Sequence, residues 1–144
     1  MAGRRRVGGG VNGRVLAGGQ ATGEALILDE PLSLWGGVDP GTGVIIDARH
    51  PQRGASIAGR VLVMAAGRGS SSSSSILAEL VRADRAPAAI LIGEPDLILA
   101  VGATVAEELY GRRVPVLVAT LRELAALQDG QLLTVSEEGR VTAG

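Results

Sequence analysis

The 144-residue sequence contains no cysteine. That excludes disulfides, thiolate zinc sites, thiol nucleophiles and any iron–sulfur cluster ligated by this chain alone. Lysine and phenylalanine are also absent, and tryptophan, tyrosine and histidine occur once each, as Trp35, Tyr110 and His50. Two aromatics cannot build the stacking platforms used to bind single-stranded nucleic acid. The 14 basic residues, all arginine, are balanced by 15 acidic ones, so there is no positive excess to neutralise phosphates. One histidine cannot make a His-rich metal site. Apolar residues make up 46% of the chain, yet no uninterrupted run approaches the ~20 residues that span a bilayer. The start, Arg4-Arg5-Arg6 followed by Gly8 to Gly10, lacks the apolar core of a signal peptide. The expectation is a cytoplasmic protein that binds neither membrane nor nucleic acid. Arginine in place of lysine, with 22 glycines and abundant alanine, is the composition of a GC-rich bacterial genome.

A chain of this length reads as one domain, able to bury roughly 70% of its unfolded surface. Residues 1–13 are rich in Gly and Arg without periodicity and read as a flexible arm before a domain over 14–144. Thr22–Leu28, Gly43–Ile46 and Arg60–Met64 read as strands, separated by the turn signals Trp35-Gly36-Gly37, Asp39-Pro40-Gly41 and His50-Pro51. A serine tract leads into an amphipathic helix with Ile76, Leu77, Leu80 and Val81 on one face. Ala88–Ile92 then reads as a buried strand. Leu97–Tyr110 reads as a second helix, with Val101, Val105 and Leu109 recurring every four residues and Gly111 as its stop. The Thr104/Glu107 spacing also allows its regular part to begin only there. Val114–Ala119 reads as a strand and Leu121–Leu127 as a short helix. A hairpin of Gln131–Ser136 and Arg140–Thr142 turns at Glu138-Gly139. This is an α/β pattern whose parallel part begins near Arg60.

Three segments carry candidate chemistry. Gly67-Arg68-Gly69 and six serines, Ser70 to Ser75, lie between the strongest strand and a helix. A helix start offers unpaired N–H groups and the positive end of its dipole, glycines admit a ligand close to the backbone, and Arg68 adds a guanidinium fork. Together they make an anion site with hydroxyls pointed into it. The Gly-Lys-Ser/Thr ending of a phosphate-binding P-loop is missing, and a plain Ser-rich connector is the simpler alternative. In Asp47-Ala48-Arg49-His50-Pro51, Asp47 and His50 read either as an acid–base pair or as an ordinary turn. In Glu94-Pro95-Asp96, Asp96 reads as a helix N-cap, and the paired carboxylates are alternatively acid–base groups.

These residues, in order and at this spacing, resemble a known family. Gly19–Ala25, Asp47–Pro51, Gly59–Val63, Gly67-Arg68-Gly69-Ser70, Ala88–Ile92, Glu94-Pro95-Asp96 and Val101–Leu109 are similar to the swivelling domain of the aconitase X group, over about residues 14–119. The resemblance implies a β/β/α swivelling fold, with a central, partly parallel sheet flanked by helices. It implies the small subunit of a hydro-lyase, active only with a large subunit whose cysteines hold an iron–sulfur cluster. It also implies that Ser70 is the catalytic base that takes the proton alpha to a carboxylate. The row of serines leaves Ser71 open as a one-residue shift of that assignment. Arg68, Gly69 and Ser71 would bind substrate, Asp47 and His50 would support, and no metal ligand is expected in this chain.

Bacterial members of the group dehydrate cis-3-hydroxy-L-proline to pyrroline-2-carboxylate, and archaeal members dehydrate phosphomevalonate. The bacterial composition favours the first substrate. A non-catalytic carboxylate- or phosphate-binding module and a purely structural scaffold subunit are the readings from other classes.

Overall fold

The structure is a computed structural model that describes residues 10–68 and 70–144; residues 1–9, with Arg4 to Arg6, and Gly69 lie outside the described residues. The strands are β1 (Val11–Asn12), β2 (Arg14–Ala17), β3 (Ala21–Ile27), β4 (Val61–Met64), β5 (Ala89–Ile92), β6 (Val116–Val118), β7 (Leu132–Val135) and β8 (Arg140–Ala143). The helices are α1 (Ser73–Arg82), α2 (Leu97–Tyr110) and α3 (Leu121–Ala125). Among the described residues no helix is long and apolar enough to cross a membrane.

The eight strands form one sheet in the order β1-β8-β7-β3-β4-β5-β6-β2. Its two edges, β1 and β2, are consecutive in sequence and separated only by Gly13. Val11 pairs with Val141, Arg14 pairs with Val118, and the Gly13 N–H bonds the Gly139 carbonyl at 2.8 Å between them. One N-terminal segment thus ties both edges and bends the sheet nearly into a barrel, which removes exposed edges. The expected arm over residues 1–13 is therefore too long at its C-terminal side. Val11 is buried at 2% exposure and begins the sheet.

β3 changes partners part-way along. Ala21–Glu24 run antiparallel to β7, whereas Ala25–Ile27 run parallel to β4. The parallel part, β3-β4-β5-β6, therefore starts with β3 rather than near Arg60. β4 and β5 are buried at every residue, as expected for parallel strands covered on both faces. Val61, Val63, Ala89, Leu91 and Leu117 point into the barrel with Val11, Leu133, Val135 and Val141, and Leu124 of α3 closes one end. Leu62, Met64, Ile90, Ile92 and Val116 face outward against α1 and α2 and the long 28–57 connection. Gly43–Ile46 does not form a strand. Val44 and Ile45 make only single bridges, to Ser56 and Val38, in a tight series of turns.

α1 buries Leu77, Leu80 and Val81, the expected face, and its Arg82 pairs with Glu79 toward solvent. α2 begins at Leu97 rather than at Thr104: Asp96 caps it, and the Thr104 hydroxyl bonds the Ala100 carbonyl within it. α2 buries Leu99 and the small residues Ala100, Gly102, Ala103 and Ala106, while Val101, Val105 and Leu109 face out. A Cβ on Gly102 would lie 2.9 Å from the Ser74 carbonyl oxygen, so the two helices cross backbone to backbone there.

α3 carries a full capping box. The Thr120 hydroxyl accepts the Glu123 N–H at 3.1 Å, and the Glu123 carboxylate accepts the Thr120 N–H at 3.0 Å. The same carboxylate accepts the Asn12 N–H at 3.1 Å, joining α3 to β1. These bonds, Thr120 first and Asn12 second, hold the Glu123 carboxyl below its ordinary value of 4.5 against the opposing effect of burial. The folded state thus favours ionised Glu123. Its contribution is present above the ordinary carboxylate pKa and is lost as pH falls through the lowered one. Glu123→Gln is therefore expected to lower Tm at pH 7, and the loss is expected to shrink progressively as pH falls below 4.5. Calorimetric scans across that range check this, and an equal loss at both ends would contradict it.

Candidate functional site

The carboxyl ends of the parallel strands converge on the segment after β4. This is where an open α/β sheet places its ligands. The segment Ala65–Ser72 runs from the end of β4 to the start of α1, and three contacts hold it. Gly67 forms a parallel bridge with Leu32, from the connection after β3. A Cβ on Gly67 would sit 2.5 Å from Asp96 Oδ2, so the loop lies directly against the carboxylate that caps α2. Asp96 Oδ1 meanwhile accepts the Leu99 N–H at 3.0 Å. The Gly93 N–H, just past β5, bonds the carbonyls of Met64 and Ala65. The Ala65–Gly67 part of the loop is therefore tied into the fold.

Within the loop, Arg68 is exposed and Ser70 half-buried. The Ser70 carbonyl accepts the Ser73 N–H at 2.9 Å, making a turn that leads into α1. Ser71 is exposed, and its carbonyl accepts the Ser74 hydroxyl at 2.9 Å. Ser72 stands at the N-cap without a side-chain cap bond. Ser73 is buried at 4% exposure, and its Oγ accepts the Trp35 N–H at 3.4 Å. Six identical residues thus fall into distinct environments, set by their place in the first turns of a packed helix. The expected binding residue Gly69 lies outside the described residues.

Sequence reasoning assigned the neighbouring Leu32–Gly37 segment no role beyond a turn. It forms a helical turn broken at Trp35, whose ψ is 116°, and at Gly36, whose φ is 77°. Trp35 is 56% exposed. The Trp-Gly-Gly signal marked the turn, but nothing local announced that it would pack beside the serine tract 38 residues later.

Asp47 and His50 form a tight loop next to this turn. Asp47 Oδ1 accepts the Arg49 N–H, the Asp47 carbonyl accepts the His50 N–H, and the Asp47 N–H reaches the Gly37 carbonyl. His50 is buried at 5% exposure. Its Nδ1 accepts the Gln52 N–H at 3.0 Å, so the ring proton sits on Nε2, which donates to the Glu30 carbonyl at 3.0 Å. Both ring nitrogens are thereby engaged. Among the described residues no hydrogen bond joins His50 to Ser70 or Arg68.

His50→Ala would remove two part-buried hydrogen bonds, at about 0.5–1.5 kcal/mol each, together with the packing of a buried ring. It is expected to lower Tm by roughly 5–10 °C while kcat at a permissive temperature stays within a few-fold. A hundredfold loss of kcat in the folded variant would give His50 a part in the chemistry.

Asp96 is the helix cap, and Glu94 is exposed. Beside Ala65, an apolar hollow of about 180 Å³ opens between β3, β4 and α3, lined by Ile27, Met64, Leu121 and Leu124 among others. Among the described residues no group of three His, Asp or Glu side chains is placed to hold a metal ion. With cysteine absent and both His50 nitrogens engaged, the residues of this chain do not fit an iron–sulfur cluster.

The sequence and fold recur in known proteins. Residues 10–143 match the family model of the aconitase X swivel domain. The chain is 51% identical over 126 residues to a cis-3-hydroxy-L-proline dehydratase of Pseudomonas aeruginosa, covering 83% of this chain and 22% of that protein. It is 43% identical over 97 residues to the phosphomevalonate dehydratase small subunit of Thermococcus kodakarensis, covering 67% of this chain and 73% of that one. The chain thus spans about a fifth of the first relative's length. The crystal structure of Thermococcus kodakaraensis aconitase X in its holo-form superposes with a TM-score of 0.84 at 35% identity, over 95% of this chain and 99% of that one. The overall fold is thus shared with that crystal structure, the family model covers nearly all of the described residues, and the chain belongs to the aconitase X swivel-domain family.

Proposed function

We propose that the chain is the small subunit of an aconitase X-type hydro-lyase that dehydrates cis-3-hydroxy-L-proline to pyrroline-2-carboxylate in the cytoplasm, with Ser70 as catalytic base. The observation that carries the reading is Gly67, pinned to Leu32 and Asp96 at the carboxyl ends of parallel strands. The exposed Arg68 follows it directly, and the half-buried Ser70 comes three residues ahead of a packed helix. Arg68 holds the substrate carboxylate through paired charge-assisted hydrogen bonds. That contact also stabilises negative charge as it spreads from the alpha carbon onto the carboxylate. Ser70 Oγ takes the alpha proton. The loop and helix-start N–H groups and the dipole of α1 stabilise the oxyanion form of the serine that does so. The large subunit would supply the iron–sulfur cluster, and the groups that release the hydroxyl lie outside this chain.

Substrate choice rests on the 51% identity over 83% of the chain to the Pseudomonas protein, together with the bacterial composition. One observation favours phosphomevalonate: the chain covers 73% of a Thermococcus protein that is itself a separate small subunit. The test is a reconstituted pair of small and large subunits assayed on both substrates. Turnover of cis-3-hydroxy-L-proline is expected, turnover of phosphomevalonate alone would reassign the substrate, and turnover of neither would leave the binding-module reading. In the active pair, Arg68→Ala is expected to raise KM at least tenfold and to lower kcat as well, because the contact both binds the carboxylate and stabilises the charge that develops on it. Steady-state kinetics check this.

A further inference from the structure

We propose that Trp35 is a specificity-determining residue, whose indole face receives the ring and secondary ammonium of cis-3-hydroxy-L-proline; the proposal rests on the hydro-lyase reading above. Two contacts hold the segment Leu32–Trp35 beside the residues given roles in that reading. At one end Leu32 forms the parallel bridge with Gly67, which directly precedes Arg68. At the other end the Trp35 N–H bonds Ser73 Oγ at 3.4 Å, three residues after Ser70. Arg68 and Ser70 therefore lie in sequence between the two tie points. The stretch from Leu32 to Trp35 spans at most about 10 Å, a gap that an arginine side chain and a five-membered ring together bridge.

The Ser73 bond takes only the backbone of Trp35 and leaves the residue 56% exposed. Ser33 Oγ donates to the Trp35 carbonyl at 3.1 Å, and Gly36 follows with φ 77°, a left-handed conformation that glycine adopts freely. The main chain is thus fixed on both sides of a ring that the core does not consume. The sequence has one other residue among Phe, Trp and Tyr, namely Tyr110, and it ends α2, about 20 Å along from the Asp96 cap. An indole face attracts a cation and packs against ring methylenes. cis-3-Hydroxy-L-proline offers both: a secondary ammonium on the carbon that bears the carboxylate assigned to Arg68, and the methylenes of a five-membered ring. Phosphomevalonate has no amine and adds a phosphate, which the negative face of an indole repels. Trp35 thereby separates the two substrates by charge.

The chain is labelled with 5-fluorotryptophan and assembled with unlabelled large chain from the same genome, so that one ¹⁹F resonance reports Trp35. The probe is L-proline, which has the ring, ammonium and carboxylate but no hydroxyl to lose. Its addition is expected to shift the resonance saturably, at the concentration that inhibits turnover. Cyclopentanecarboxylate, with ring and carboxylate but no ammonium, is the second inhibitor. Trp35→Leu keeps much of the volume without an aromatic face. It is expected to raise KM for cis-3-hydroxy-L-proline and Ki for L-proline about tenfold, the scale of a cation on an aromatic face. The same variant should leave kcat and the Ki of cyclopentanecarboxylate within about threefold. Trp35→Phe retains a face and should stay within about threefold of the wild type throughout. Circular dichroism confirms that each variant is folded. An unmoved resonance at inhibiting L-proline overturns the proposal, as does an unchanged KM in Trp35→Leu or an equal rise in Ki for both inhibitors. Weaker association of Trp35→Leu with the large chain, at unchanged KM, also overturns it by making the indole a subunit contact. If the pair turns over cis-3-hydroxy-L-proline and Trp35→Leu matches the wild type, only this proposal fails. A saturable L-proline shift in a pair that dehydrates neither substrate ends the functional reading alone. Turnover of phosphomevalonate alone, with no shift by L-proline, ends both.

Discussion

Replacing Ser70 with alanine is expected to lower kcat of the assembled enzyme by about 10²–10⁴-fold, the usual share of a positioned proton-transfer group. The same change at Ser71 should cost less than about tenfold. The two neighbours differ in environment, not in chemistry. Ser70 is half-buried and fixed by its carbonyl bond to the Ser73 N–H, one residue beyond the glycine that follows Arg68. Ser71 carries an equivalent carbonyl bond, from the Ser74 hydroxyl, but is exposed, so burial is what separates the two. A serine hydroxyl is a weak base in water. It acts as one only where fixed N–H dipoles and a cation favour its oxyanion, the role proposed above for the start of α1 and for Arg68. Removing the hydroxyl takes away one oxygen and leaves the backbone turn in place, so large-subunit affinity and Tm should both be unchanged. Steady-state kinetics on the reconstituted pair decide. Loss at Ser71 with Ser70→Ala active would move the base by one residue. Full activity of both variants would support a scaffold role for this chain.

Much of the architecture is legible because its causes are local. Asp96 three residues before the Leu99 N–H, and Gly111 in the left-handed conformation with φ 68°, bound α2 where capping chemistry puts them. The fully apolar runs of β4 and β5 announce parallel strands buried on both faces. What was not legible depends on distant partners. Nothing in Gly10–Gly13 signals that Val11 will meet Val141 across the length of the chain. The four-residue recurrence of Val101, Val105 and Leu109 is a true helical signal, yet it marks the outward face of α2. The inward face is Gly102, Ala103 and Ala106, chosen for close approach to Ser74 rather than for hydrophobicity. Gly43–Ile46 has strand-forming residues, but turns at Asp39–Gly43 and His50–Gly54 allow it only single bridges. In the site, the glycine–arginine–serine loop stood out by composition, and the Asp96 cap by its spacing. That the two lie against one another, with Trp35 on the other side, required the β3–β4–β5 register to bring three strand ends together.

That juxtaposition makes Gly67 the position where the smallest change should do the most damage short of the base itself. A methyl group at Gly67 would sit 2.5 Å from Asp96 Oδ2, far inside contact distance. Asp96 cannot simply turn away, because its other oxygen caps α2, and losing that cap costs about 0.5–2 kcal/mol. The alternative is for the loop to move, breaking its bridge to Leu32 and carrying Arg68 and Ser70 off their positions. A displacement of about 1 Å at reacting groups is enough for a 10²-fold loss. Gly67→Ala is therefore expected to lower kcat about 10²-fold with a modest fall in Tm, and Gly67→Val to lower both further. The cause is a collision between two named groups, so it can be relieved. Asp96→Ala should by itself cost mainly stability, and the Gly67→Ala/Asp96→Ala double variant should recover most of the kcat lost by Gly67→Ala. The double-mutant cycle measures that coupling directly. Additive losses in kcat would show that Gly67 matters for some reason other than its contact with the carboxylate, and would separate the loop after β4 from the helix cap that the structure places against it.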